Sequence, residues 1–154
     1  MARRIGRGLA LAGAALALAS CGGSSSGGGG SVSGLGPGFY ITIQGMAFAP
    51  SELAVPPGET VTVLNQDAMQ HSVTSEAAAG DFTPGSVGGV QFDTGQFTGR
   101  RSFTIPANAP DGTVIPYYCS VHKGAMATPN ATIRVDDTAQ PGPAPGSGSG
   151  GGGY

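Results

Sequence analysis

The stretch "ETVTVLNQDAMQHSVTS", Glu59 to Ser75, shows most directly how this chain folds. Val61 and Val63 alternate with threonines, which is the spacing of a β-strand with one buried face. A polar run interrupts the alternation, and an apolar residue returns at Val73. The stretch therefore predicts a strand, a loop that ends near His71, and the start of another strand.

The same alternation recurs along the middle of the chain. It is carried by Phe39, Ile41 and Ile43, by Leu53 and Val55, by Phe103 and Ile105, and by Ile133 and Val135. Turn sequences such as "VPPGE", "DTG" and "APDG" separate these segments, and no amphipathic helix of useful length is present. Short strands divided by turns at intervals of about ten residues are typical of an all-β antiparallel sandwich or barrel.

The first twenty residues have the composition of a secretory signal. Three arginines in "MARRIGRG" precede the uncharged apolar run "LALAGAALALAS", which is too short for a permanent membrane span. The run ends in "LASC", with Cys21 at the position that a bacterial lipobox requires. We therefore predict a signal peptide over residues 1–20 and a lipid on Cys21, the alternative being ordinary cleavage that leaves Cys21 free.

Two segments rich in glycine frame one domain. Residues 21–38 and 138–154 have too few apolar side chains to offset the entropy of ordering them, so we predict a flexible linker and a disordered tail. Residues 39–137 form the predicted domain. Removal of the signal leaves 4 basic and 9 acidic residues, a net charge of −5. The absence of a basic patch argues against a nucleic acid partner.

The segment "YYCSVHKGAM", Tyr117 to Met126, contains three possible metal ligands, Cys119, His122 and Met126. Each alone is more often a packing or surface residue than a ligand. Together with His71 they account for both histidines of the chain and for the single cysteine of the domain. On a strand, Tyr117 and Cys119 point towards the core and Tyr118 points away. We interpret the four residues as one site.

The ligand types favour copper. Two imidazoles, one thiolate and a weak thioether are the ligand set of a mononuclear blue copper centre, which alternates between Cu(I) and Cu(II). A structural zinc site normally has four cysteine or histidine ligands, and this domain offers three.

These residues resemble the cupredoxins, and in particular their plastocyanin/amicyanin-like branch. The resemblance rests on "MAFAPSELAVPPGETVTVLNQDAMQHSVTS", on "FDTG" followed by "SFTI", and on "YYCSVHKGAM". It implies a Greek-key β-sandwich of about eight strands. It also implies that His71, Cys119 and His122 are equatorial ligands and that Met126 is the axial ligand.

Two further roles follow from the resemblance. The amide of Ser72 would donate a hydrogen bond to the Cys119 sulfur, and Asn65 would support the site from outside the ligand set. The sequence departs from the family in two places. Three residues separate His122 from Met126, where two or four are common, and "VLN" stands where many relatives have an aromatic residue before the asparagine.

The predicted function is one-electron transfer by an exported protein that is lipid-anchored to the outer face of a bacterial membrane. We expect redox proteins as partners, a monomeric state, and electron exit through His122 or Tyr118. The alternative is a carrier or store that delivers copper to another protein. An enzyme is disfavoured because no histidine remains for a second copper.

Overall fold

The computed structural model describes residues 34–146, which form eight strands and one short 3₁₀ turn. The strands are β1 (Phe39–Gln44), β2 (Ala47–Ala49), β3 (Glu52–Val55), β4 (Thr60–Asn65), β5 (Thr74–Ser75), β6 (Gly99–Thr104), β7 (Val114–Tyr118) and β8 (Ala131–Val135), and the 3₁₀ turn covers Lys123–Ala125. The all-β prediction of about eight strands is therefore confirmed.

The strands form two four-stranded sheets. One has the order β2-β1-β4-β6 and the other the order β3-β8-β7-β5. Two neighbouring pairs, β1 with β4 and β3 with β8, run parallel, and the other pairs are antiparallel. The sequence predicted an antiparallel sandwich or barrel, and these two pairs differ from it in running parallel. Alternation of side chains reports a half-buried face but not the direction of the neighbouring strand.

The inner faces of the two sheets supply the core. Its members include Ile41 and Ile43 of β1, Val61 and Val63 of β4, Ile115 and Tyr117 of β7, and Ile133 and Val135 of β8. Cys119 belongs to the same cluster and Tyr118 does not. The predicted parity of these two residues is therefore confirmed.

A two-residue turn joins β1 to β2. Gly45 and Met46 both have positive φ, 58° and 63°. Two consecutive residues in this conformation form the tight hairpin turn whose twist matches that of the strands it connects. Glycine adopts it freely, whereas Met46 needs surrounding contacts that hold it there.

The packed region extends slightly beyond the predicted boundaries of 39–137. The backbones of Gly38 and Gly142 exchange two hydrogen bonds of 2.9 Å, and Ala139 packs against the core. Cys21 and the predicted signal lie outside the described residues. Between residues 34 and 146, no helix is long and apolar enough to cross a membrane.

Candidate metal centre

His71 is positioned by the loop that follows β4. The backbone of His71 exchanges two hydrogen bonds with that of Phe97, of 3.1 and 2.9 Å. The side-chain amide of Asn65, the last residue of β4, donates to the carbonyl oxygens of Phe97 (2.8 Å) and Met69 (2.9 Å). Its side-chain oxygen accepts from the amide of Asp67 at 3.0 Å. Asn65 therefore holds both ends of the loop, and His71 is fully buried.

Cys119 comes directly after β7 and reaches His71 through the pairing of β5 with β7. In this antiparallel pair Thr74 lies opposite Tyr118. Continuing the same register by two residues places Ser72 opposite Ser120, and the Ser120 amide donates to the Ser72 hydroxyl at 2.7 Å. Residues 47 positions apart in sequence therefore meet at one end of the sandwich.

Three ligand-type side chains converge there. The Sγ of Cys119 lies 3.7 Å from Nδ1 of His71 and 3.5 Å from Nδ1 of His122. The three potential ligand atoms all lie within 4.8 Å of one another, and the two imidazole centroids are 4.7 Å apart. Cys119 is buried without a disulfide, and His122 is partly exposed.

This spacing fits a single metal ion. Nitrogen and sulfur ligands at about 2.0–2.3 Å from one metal, spread at trigonal angles, lie about 3.5–3.8 Å from each other. The two sulfur–nitrogen distances fall in that range without any rearrangement. The donor set of one thiolate and two imidazoles in a trigonal arrangement is the one that copper prefers in electron-transfer sites.

The Ser72 amide contacts the thiol from the buried side. It donates to Sγ of Cys119 at 3.4 Å, and both residues are fully buried. A hydrogen bond to a ligating sulfur withdraws electron density from it and favours the reduced metal. The structure thus contains the hydrogen bond from the Ser72 amide to the Cys119 sulfur that the resemblance implies.

The segment from Ser120 to Met126 is tightly turned. The amide of Lys123 donates to the carbonyl of Cys119 at 2.7 Å, and Lys123 has a positive φ of 45°. The 3₁₀ turn ends at Ala125, and the next residue, Met126, is extended, buried and part of the core cluster. The next amide, that of Ala127, donates to the carbonyl of Met46 at 2.7 Å. Met126 therefore lies at the same end of the sandwich as His71, Cys119 and His122. Its role as a ligand stays a prediction.

Asp67 is a site residue that the sequence interpretation missed. Its Oδ2 atom lies 3.0 Å from Nε2 of His71, on the side of the ring opposite to Cys119. The same carboxylate accepts from the amides of Gly45 (2.7 Å) and Met46 (3.1 Å). Asp67 stands four residues before His71 in "NQDAMQH", a spacing that carries no signal outside a helix.

These contacts determine the ionisation of the pair. Hydrogen bonds from the Met46 and Gly45 amides, together with His71, lower the pKa of Asp67 against the opposing effect of desolvation. Burial lowers the pKa of His71, although the hydrogen bond that the ring donates to Asp67 acts in the opposite direction. His71 is therefore neutral and Asp67 ionised at neutral pH, which is the state in which an imidazole can bind a metal.

Tyr118 lies on the outer side of β7 but does not reach solvent. Its ring packs edge-to-face on Phe82 at a centroid distance of 5.8 Å, and only 2% of its surface is exposed. Phe82 belongs to the segment of residues 77–85. Glu76 holds this segment, because its buried carboxylate accepts from the amides of Gly80 (3.2 Å) and Phe82 (2.7 Å). The predicted path through Tyr118 therefore passes beneath this segment rather than directly to the surface.

Each of the two loops that carry the histidines has an exposed apolar side chain. Val121 is 40% exposed, and Met69 of the His71 loop is 48% exposed. Among the residues that the structure describes, three large hydrophobic side chains are exposed: Val121, Met69 and Val114. Exposed apolar side chains on both loops that carry histidines are suitable contacts for a protein partner.

The fold and the three converging side chains define a β-sandwich with a mononuclear metal centre at one end. Residues 39–135 match the family of copper-binding proteins that includes plastocyanin and azurin. The chain belongs to this family, and its cofactor is copper.

Solved structures with a similar fold include three copper proteins. The first is a variant of amicyanin in its reduced Cu(I) form at pH 4, with 20% identity over 64% of this chain and 82% of that chain and a TM-score of 0.46. The second, a purple cupredoxin from Nitrosopumilus maritimus, has 23% identity over 64% and 99% of the two chains and the same TM-score of 0.46. The third is a copper-containing nitrite reductase from Thermus scotoductus SA-01, with 20% identity over 64% of this chain and 22% of that chain and a TM-score of 0.46.

Proposed function

We propose that this protein is a one-electron carrier with a mononuclear blue copper centre, in which His71, Cys119 and His122 are the equatorial ligands and Met126 is the axial ligand. The observation that carries the proposal is the pair of Sγ–Nδ1 distances, 3.7 and 3.5 Å, around a buried thiol. When bound, copper supplies the change between Cu(I) and Cu(II).

The remaining residues keep the site rigid and shielded. Asn65 holds the His71 loop, and the β5–β7 pairing holds Ser72 against Cys119. Asn65 and Ser72 are both buried. Ligands that are already fixed move little when the metal changes oxidation state, so the energy spent on rearrangement during each transfer is small. This rigidity favours electron transfer over copper delivery, since a delivery site has to open to release its metal.

Electrons would enter and leave through His122. It is the only partly exposed member of the three-residue cluster, and the exposed side chains of Val121, its neighbour in sequence, and of Met69, on the His71 loop, would supply apolar contacts. A partner that covers this surface would exclude water and bring its own redox centre close to the imidazole. Tyr118 offers a second route through the protein, beneath Phe82.

The proposal includes export and anchoring. The signal-like residues 1–20 and the lipobox at Cys21 support a protein that is held by lipid on the outer face of a bacterial membrane. The glycine- and serine-rich sequence of residues 21–38 would act as a tether that allows the domain to reach both a donor and an acceptor. The partners are redox proteins, and we propose that the carrier is a monomer without enzymatic activity of its own.

The absorption spectrum of the copper-loaded protein tests this function. We expect an intense visible band from charge transfer between the thiolate and Cu(II), which disappears on reduction and returns on oxidation. A colourless protein that binds Cu(I) tightly and does not cycle would contradict electron transfer and support copper delivery.

A further inference from the structure

We propose that Asp67 is a positioning residue of the copper centre: its carboxylate accepts the Nε2 proton of His71 and so fixes the ring with an unprotonated Nδ1 directed at Cys119. The effect of Asp67 on copper rests on the proposed function. The Nε2-protonated form of His71 does not, because it is expected in the metal-free protein as well. The inference also assigns to Asp67 a second task, which is to join the two segments that carry the ligands.

The first step concerns the ring itself. A neutral imidazole carries its proton on one nitrogen only, and the partner of one nitrogen decides the state of the other. Both oxygens of the Asp67 carboxylate accept backbone N–H groups, and Oδ2 lies 3.0 Å from Nε2, so this carboxylate accepts from the ring rather than donating to it. The proton must therefore reside on Nε2, which leaves the lone pair of Nδ1 free at 3.7 Å from the Cys119 sulfur.

The second step concerns the charge. His71 is fully buried and the Asp67 side chain is 17% exposed, so the interaction between them is only partly screened by solvent. A carboxylate that accepts from a ligating histidine makes the ring a stronger donor. A stronger donor and a nearby negative charge both stabilise Cu(II) more than Cu(I). Asp67 should therefore lower the reduction potential.

The third step concerns the Gly45–Met46 turn. Asp67 accepts from both amides of this turn, and the Met46 carbonyl in turn accepts from the amide of Ala127, next to Met126. These contacts hold Met46 at a φ of 63°, a conformation that a residue with a side chain seldom adopts. A continuous chain of hydrogen bonds thus runs from His71 through Asp67 and Met46 to the residue that follows Met126.

A purely local role for Asp67 would be to cap the turn. In that case its loss would weaken the hairpin and leave the histidine unaffected. The tautomer of His71 separates the two roles, because loss of the turn cap alone would not move the imidazole proton.

The first arm of the experiment uses the metal-free full-length protein and long-range ¹H–¹⁵N NMR spectra of the imidazoles. The chain has two histidines, so the His122→Ala variant assigns the signals. We expect a single Nε2-protonated form of His71 in the wild type, and a mixture with the Nδ1-protonated form in Asp67→Ala. A wild-type ring protonated on Nδ1, or a tautomer unchanged by Asp67→Ala, would overturn the proposal.

The second arm uses the copper-loaded protein, the variants Asp67→Asn and Asp67→Ala, and Asp136→Asn as the control. Asp136 is also an aspartate that caps a turn, through Thr138, but it lies outside the cluster. We expect a higher potential in both Asp67 variants, a copper affinity about 10–100-fold lower in Asp67→Ala, and wild-type values in the control. Wild-type potential and affinity in both Asp67 variants would refute the role. A wild type that shows the Nε2 tautomer but no visible band would contradict the proposed function and leave the positioning of His71 standing.

Discussion

The backbone amide of Ser72 donates to the sulfur of Cys119 at 3.4 Å, although Ser72 precedes β5, Cys119 follows β7 and the two are 47 positions apart. This contact exists because Thr74 and Tyr118 are paired across β5 and β7. The sheet register therefore sets both the distance of the thiol from His71 and its hydrogen bonding. Any test of the site has to separate the chemistry of the sulfur from the register that places it.

The first prediction concerns this sulfur. Cys119→Ser should abolish the intense visible band, because a serine oxygen gives no comparable charge transfer to copper. The fold should survive at a cost of about 1–2 kcal/mol, since the Ser72 amide can donate to the new hydroxyl. Absorption spectra and thermal unfolding of the metal-free protein measure the two effects. Ser120→Ala, at the neighbouring position, should keep the band. A Cys119→Ser protein that stays intensely coloured would contradict the assignment.

The second prediction tests Met126. A thioether is a long, weak axial ligand that tunes the potential more than it holds the metal. Met126→Leu removes a donor that favours Cu(II), so the potential should rise while the band persists. Met126→Gln adds a harder oxygen ligand, so the potential should fall. Voltammetry measures both shifts, with Met69→Leu as the control because Met69 is 48% exposed. Unchanged potentials in both Met126 variants would show that this residue only packs.

The third prediction concerns Tyr117, whose hydroxyl is buried and has no hydrogen-bond partner. Burial raises the pKa of this phenol well above its ordinary value of 10.0. The unfolded chain therefore releases the proton at a lower pH than the folded protein, and stability should fall as the pH rises above about 10. Tyr117→Phe should reduce this alkaline loss and increase the unfolding free energy at pH 7 by up to about 1–2 kcal/mol.

Urea unfolding at pH 7 and pH 11 measures both effects of Tyr117→Phe. Tyr40→Phe is the matched control, because the Tyr40 hydroxyl lies at the surface and donates to the carbonyl of Gly36. If Tyr117→Phe keeps the wild-type dependence on pH and loses stability at pH 7, its hydroxyl has a partner in solution.

The fourth prediction concerns Glu76. Glu76→Ala would remove the buried carboxylate that accepts from the amides of Gly80 and Phe82, so we expect a loss of about 1.5–3 kcal/mol. Hydrogen exchange should accelerate mainly at residues 77–85, and Tyr118 should become accessible to a phenol-modifying reagent. Asp81→Ala, in the same segment but with an exposed side chain, serves as the control. Protection of residues 77–85 that stays at the wild-type level would show that Glu76 does not hold this segment.

The fifth prediction concerns Cys21, which lies outside the described residues. If the lipobox is used, Cys21→Ser should release the mature protein from membranes or leave unprocessed precursor. Labelled fatty acid should be incorporated only by the wild type and by Cys119→Ser, which retains the same lipobox. A wild-type protein that is unlabelled and recovered in the soluble fraction would contradict the anchor.

The sequence by itself determined the strands and the local part of the site. Alternation marked β1, β4 and β8 because burying one face of a strand leaves a period of two in the sequence. Cys119 and His122 could be paired because they are three residues apart and share one loop. Copper followed from the chemistry of the residue types, which is independent of the fold.

Only the tertiary structure decided how distant segments meet. The parallel pairing of β1 with β4 leaves no trace in the alternation, since a strand has the same period whichever way its neighbour runs. The cover over Tyr118 depends on Phe82 and on the buried carboxylate of Glu76, which a local pattern would assign to an exposed loop. The contact of Asp67 with His71 depends on how one loop folds back, because the direction of a side chain in an irregular segment is set by long-range hydrogen bonds rather than by a repeating backbone geometry.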